Sequence, residues 1–392
     1  MRKTYKSNIK KLYLFIFFSS MHFFGGILIP FFTDWGNINF TQVMILQSWF
    51  MLWIFLLEIP SGVLADYIGR KKTLIIGAAA GIVCPLIYSS FPNFFIFLIG
   101  EMFFALSASM YSGAGEALIY DSLKIIKQTK KSKQVFGRLQ SFKLAGILVS
   151  APVGSLIASN FGLRAPMFLV AVPLTIAFFI GMTLKEPETT SKRSENYLKI
   201  LTRGTDFFKK NKILKLLTFD MVSIAAIGYF MIWFYQPMLE KAGIPIKFFG
   251  FVHAVFSLSQ IIILNNYLFM EKVFGSKKNV LLFSSLITGF MYILGGLFSN
   301  PLAVLSAIII GGGFGLARRP LFTSYMNKYI ESSERATVIS TISMFQRLVL
   351  VIVNPIVGFL AEMSFDFTLI LLGILALLFA LISRVEEKHL ID

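Results

Sequence analysis

Eight ionisable side chains interrupt otherwise apolar stretches of this sequence: Glu58, Glu101, Glu116, Lys143, Asp220, Arg318, Arg319 and Arg347. Within hydrocarbon each costs at least about 2.5–3.5 kcal/mol, so each calls for a reason. The chemistry open to them is proton exchange, ion pairing and recognition of a charged solute. Along 94–120, a 100° step per residue gathers Glu101, Ala105, Ala108, Ser112 and Glu116 into a stripe roughly 60° wide. That stripe is small and polar between two carboxyls, which suits a water-filled face. Glu116 is expected to be either a coupling carboxyl or one half of an ion pair with Arg318 or Arg319. Burial favours the protonated form and a nearby arginine the ionised one, so a carboxyl passed between the two settings takes up and releases a proton. Asp220, about two turns into its helix, either binds a cation or pairs with Lys143 or Arg347. His22 is placed to titrate near neutral pH or, more plainly, to be held by a hydrogen bond. Ser112, Tyr229, Trp233 and Gln236 are further candidate cavity contacts. Glu58 and Asp121 stand near helix ends, where gating or interfacial hydration is expected.

The elements that hold these residues follow from composition. The chain has 392 residues, 56% hydrophobic and 15% charged, with a mean hydropathy of +0.73. Soluble domains are nearer 45–50% apolar and 25% charged, which excludes a water-soluble enzyme. Apolar runs of roughly 20 residues span hydrocarbon as helices. Twelve are expected: 12–32, 41–61, 73–90, 94–120, 140–159 and 164–184, then 213–236, 248–269, 280–299, 301–326, 338–361 and 366–384. The fold class is therefore all-α, with two six-helix bundles over 1–184 and 213–392 joined by a polar central loop, 185–212. That loop is read as part amphipathic surface helix and part linker.

The 37 Lys and Arg residues, against 20 acidic ones, give a net charge of +17. Their placement speaks against a nucleic-acid partner. They crowd the termini and alternate loops, leaving Arg164, Lys241 and Lys247 on the opposite face. The positive-inside rule then puts both termini in the cytoplasm. The basic residues 1–11 precede a run too long for a signal peptide and without a small-residue cleavage site, so the first helix is expected to stay uncleaved. Cys84 stands alone, and His22, His253 and His389 lack metal-site spacing. No phosphate-binding G-x-x-x-x-G-K-[ST] occurs, and no nucleophile–base arrangement supports an enzyme. No cofactor or metal is expected.

The halves look duplicated. The segment 69–74, GRKKTL, aligns with 275–280, GSKKNV, and EALIYDSL at 116–123 aligns with RPLFTSYM at 319–326. Lys143 and Gly154 align with Arg347 and Gly358 at nearly the same offset. Parallel repeats of six helices are a transporter architecture.

Between the second and third helices the chain reads Gly62-Val-Leu64-Ala-Asp66-Tyr-Ile-Gly69-Arg70-Lys71-Lys72-Thr-Leu74. This resembles the signature of the major facilitator superfamily, G-x-L-x-D-x-x-G-R-K-x-x-L, at every specified position. On the residues alone, Gly62 lets helices pack closely, Gly69 permits a tight turn, and Asp66 can accept from a helix N-terminus. The resemblance implies a conformational latch at Asp66 and Arg70. It also implies a central cavity lined by the first, fourth, seventh and tenth helices, which carry Glu101, Glu116, Asp220, Arg318 and Arg319. Segments such as EIPSG at 58–62 and GAGEALIYDSLK at 113–124 look like a drug-efflux branch. Two positions depart from that pattern. Glu101 stands where many proton-driven members carry arginine, and the fifth-helix antiporter motif survives only as Gly137, Gly146 and Ser150-Ala-Pro152-Val-Gly154-Ser155. The expectation is proton-coupled export of amphipathic small molecules by alternating access, with uptake or exchange of a metabolite as the alternative. A membrane sensor that moves no solute is the competitor from another class. Expected partners are a small-molecule substrate, protons and the lipid bilayer, with the protein acting as a monomer.

Overall fold

A computed structural model describes residues 2–187, 206–208, 210–331 and 335–391. The described residues are helical apart from short turns, as a chain in lipid requires, because a helix satisfies its own backbone groups where no water can. Among the described residues, eleven helices are long and apolar enough to cross a membrane, or twelve when one bent pair is counted as a single span. The protein is a multi-pass membrane protein. Most of the amphipathic helix expected in the central loop lies outside the described residues.

The spans are α1 (Arg2–Ser19), α2 (Phe40–Ile68), α3 (Arg70–Tyr88), α4 (Phe94–Ile125), α5 (Ser132–Phe161), α6 (Arg164–Met182) and α7 (Lys212–Lys241). They continue as α8 (Phe249–Asn265), α9 (Lys277–Leu297), α10 (Pro301–Tyr329), α11 (Arg335–Met363) and α12 (Phe365–Ile382). The starts are written in the sequence as caps. Asn39 and Gln42 form a reciprocal capping box on α2, while Asn93, Asn211, Ser276, Asn300 and Ser364 accept from first-turn amides of α4, α7, α9, α10 and α12. Large apolar side chains such as Leu56, Phe95, Phe168, Ile352 and Phe359 remain exposed, as lipid-facing positions should.

The first span corrects the expectation of one helix over 12–32. α1 ends at Ser19, a tight turn covers Phe23–Gly26, and the axis bends by 70° before Leu28–Trp35. Two adjacent glycines, Gly25 and Gly26, weaken the helix there, and Pro30 has no N–H to give the Gly26 carbonyl. The fifth helix accommodates the irregular backbone. A Cβ at Gly154 would overlap the Phe23 carbonyl, and one at Gly146 would come within 2.5 Å of the Phe17 carbonyl. These are two glycines of the degraded antiporter motif, and here their work is close packing.

The chain divides into two compact units. The first comprises Met1–Glu195 with Ile246–Phe251, the second Asn196–Pro245 with Val252–Asp392. Apolar clusters fill each one. In the first, Leu12, Phe15, Leu74, Leu118 and Ile119 pack together; in the second, Leu214, Leu217, Val280, Phe322 and Val338 do.

Candidate functional site

The first unit encloses a cavity of about 390 Å³, within the size range of small-molecule sites. One face of α4 builds it: Phe104, Ala108, Tyr111, Ser112, Gly115 and Glu116 recur at helical spacing and all line it. Ala108, Ser112 and Gly115 leave the space that larger side chains would fill. Opposite them stand Leu12 and Ile16 of α1, His22 and Phe24 of the irregular segment, and Gln140 and Lys143 of α5.

The cavity has two chemically distinct ends. Glu116 lies about 14 Å along α4 from its C-terminus and Lys143 about 16 Å along α5 from its N-terminus, at a 1.5 Å rise per residue. Because the helices run antiparallel, the two side chains enter at similar depth. Both are exposed, and neither has a hydrogen bond or ion pair with another described residue. Phe104 sits three turns from Glu116, about 18 Å along the axis. There His22 stacks on Phe24 with ring centres 5.0 Å apart, and Phe104 meets their edges at 5.7 and 6.1 Å.

Glu101 corrects the reading of one continuous wet stripe. Its side chain is buried, accepts from Gln47 Nε2 at 3.1 Å and is hydrogen-bonded to Tyr88. Ala105 is wholly buried as well. The same helix face packs into the bundle at one end and borders the cavity at the other, a change that angular position alone cannot encode.

At the end of this unit that carries the signature, Gly69 adopts φ +97°, which L side chains rarely take. Arg70 pairs with Asp121 and donates to the Ala117 carbonyl at 3.0 Å. Glu186 accepts from the Arg70 and Lys71 amides at 2.8 and 2.7 Å, placing a carboxylate on the N-terminus of α3. Asp66 is exposed, without a hydrogen bond or ion pair among the described residues. Gly62 corrects the close-packing expectation, because a Cβ there would meet nothing within 4 Å. Neither the Asp121 pairing nor the Glu186 cap was found by sequence reading. The signal for the cap was the repeat, since Glu387 accepts from the Lys277 and Lys278 amides of α9 at 3.1 and 2.8 Å.

The second unit treats its charges differently. Arg318 is 1% exposed. Its guanidinium pairs with Asp220 and donates to the Leu281 carbonyl at 2.6 Å and to the Ser284 and Ser285 hydroxyls at 2.7 Å. Ser383 donates to the other Asp220 oxygen. Asp220 is thus the partner of Arg318, not of Lys143 or Arg347, and Arg318 is committed within its own unit rather than to Glu116. Arg319 is exposed and reaches the Ser343 hydroxyl at 3.5 Å. Trp233 and Gln236 are buried, with Gln236 donating to the Tyr235 hydroxyl at 2.7 Å, and Tyr229 packs edge-on to Trp233. None of the three lines the cavity of the first unit, whereas His22 and Ser112 do.

A family model described as Major Facilitator Superfamily matches residues 12–269 and 221–390. A Bacillus subtilis (strain 168) protein named an uncharacterized MFS-type transporter, YxaM, is 22% identical over 315 residues, 78% of this chain and 76% of the relative. Among solved structures, the nucleoside transporter NupG is similar with a TM-score of 0.77 at 16% identity, over 97% of this chain and all of that one. A POT family transporter in complex with 5-aminolevulinic acid is similar with a TM-score of 0.76 at 15% identity, over 98% and 96% of the two chains. At these identities the solved structures speak for the fold.

Proposed function

The chain belongs to the Major Facilitator Superfamily, and from that premise we propose that this membrane transporter exports amphipathic small molecules in exchange for protons. The observation that carries this reading is Glu116, a carboxyl with no partner among the described residues, facing an open cavity on a transporter fold. A proton and a substrate cation compete for such a group. Loading one expels the other, which is the thermodynamic core of antiport. In this reading the two units alternate access to the cavity, and Asp66 and Arg70 bias the equilibrium between the two states. Arg70 is held for that task from three sides, by Asp121, the Ala117 carbonyl and the Glu186 cap. Both termini lie in the cytoplasm, the location is the cell membrane, and the monomer is the working unit.

A second reading, uptake or exchange of a small polar metabolite, is favoured by the degraded antiporter motif, whose glycines act in packing. The solved proteins of like fold, named as a nucleoside transporter and a POT family transporter, add to it. A substrate screen in proteoliposomes with an imposed pH gradient tests both. Export predicts solute movement against the proton flux that collapses with an uncoupler and is lost in Glu116→Gln. Movement in the direction of the proton flux establishes the second reading. A Glu116→Gln protein with full pH-driven transport removes Glu116 from the coupling.

A further inference from the structure

The cavity of the first unit has a built chemical asymmetry that the export reading does not use. Lys143 brings a second charge into the cavity that Glu116 lines, of opposite sign, and neither is neutralised by a described side chain. Asp220, sealed against Arg318, is not available to neutralise Lys143. A lone carboxylate would select a cation, and an ammonium lining the same cavity opposes one. A ligand carrying both an acidic and a basic group satisfies the two side chains at once. About three helical turns away the wall becomes His22, Phe24 and Phe104, which offers stacked and edge-on aromatic surface.

Resting on the proposed transport function and naming its substrate class, we propose that this cavity binds an elongated zwitterion with an aromatic body. The amino and acidic groups of its head meet Glu116 and Lys143, and the body lies along α4 toward His22, Phe24 and Phe104. The two ends stand about 18 Å apart along the helix axis, so the ligand that meets both is elongated rather than compact. Ser112 and Gln140 supply neutral hydrogen-bonding groups at the charged end.

Three compounds with one biphenyl body test this: 4-phenylphenylalanine, its methyl ester (a cation) and its N-acetyl derivative (an anion). Binding to the purified full chain in nanodiscs is measured by calorimetry at about pH 6, where the amine of the ester is protonated. The zwitterion is expected to bind at least tenfold more tightly than either capped form. Lys143→Gln removes its advantage over the ester, Lys143→Arg keeps that advantage, and Glu116→Gln removes its advantage over the N-acetyl compound. Equal affinity for the zwitterion and the ester overturns the assignment, as does absence of binding by all three. The wild-type comparison decides even where a variant fails to fold. Proteoliposome transport of the same compounds separates the two claims. A zwitterion that binds selectively but is moved by no pH gradient refutes the coupling and keeps the head-group assignment. Proton-driven movement of the ester without any preference for the zwitterion does the reverse.

Discussion

The two units share matching sequence segments and a device in structure, but they handle charge in opposite ways. At the start of α3 and of α9 a carboxylate, Glu186 or Glu387, sits on the first backbone amides. Farther in they part company. The first unit leaves Glu116 and Lys143 open to a cavity with no described partner, while the second closes Asp220 and Arg318 into a buried network with three serine hydroxyls and a backbone carbonyl. Position for position, Glu116 aligns with Arg319, whose neighbour Arg318 is the buried cation. Charge is thus left open to a cavity in one unit and used for cohesion in the other. The lesson is that an intramembrane charge is informative only once its partners are known.

The largest effect should come from breaking the sealed pair. Arg318→Met strands a buried carboxylate and is expected to cost about 3–5 kcal/mol of stability, whereas Asp220→Leu with Arg318→Met recovers most of it. Thermal unfolding in detergent reads both, and a double variant as unstable as the single one would show that the network does more than neutralise its members. Glu116→Gln should behave in the opposite manner. Its unfolding is expected to move by less than about 0.5 kcal/mol, as for a substitution that removes no buried contact. Its pH-driven transport is expected to fall at least about tenfold, as for the loss of a required proton carrier. A stability loss as large as that of Arg318→Met would erase the contrast between the units.

Smaller effects probe the shared device. Glu186→Gln and Glu387→Gln should each destabilise by about 0.5–2 kcal/mol, and by similar amounts, because each weakens a carboxylate on a helix N-terminus. A marked inequality in the same unfolding assay would mean that the two caps have diverged. Within the signature the smallest change is expected at Gly62 and a larger one at Gly69. Gly62→Ala should stay within about 0.5 kcal/mol, since a Cβ there meets open space. Gly69→Ala should cost about 1 kcal/mol or more through its positive φ.

Long apolar runs, alternate basic loops and helix caps made the architecture legible, because spanning a bilayer imposes length and polarity on each segment separately. The break in the first span was present in Gly25, Gly26 and Pro30, but the length of the apolar run masked it. The site was legible in part. Glu116, Ser112 and His22 do line one cavity, and helical spacing alone places Ser112 and Glu116 on the same face. Glu101 shares that angular stripe and is nevertheless inside the bundle, hydrogen-bonded to Gln47 and Tyr88.

The sequence by itself determined a polytopic helical protein and named the charges that lipid would not tolerate without a reason. Only the tertiary structure decided which of those charges are spent on one another. Asp220 lies 98 residues from Arg318, and Asp121 lies 51 from Arg70, distances along the chain that no local periodicity spans. Pairing is a property of packed surfaces. Helix propensity and hydropathy act within one segment, whereas the fate of a charge depends on which other segment faces it.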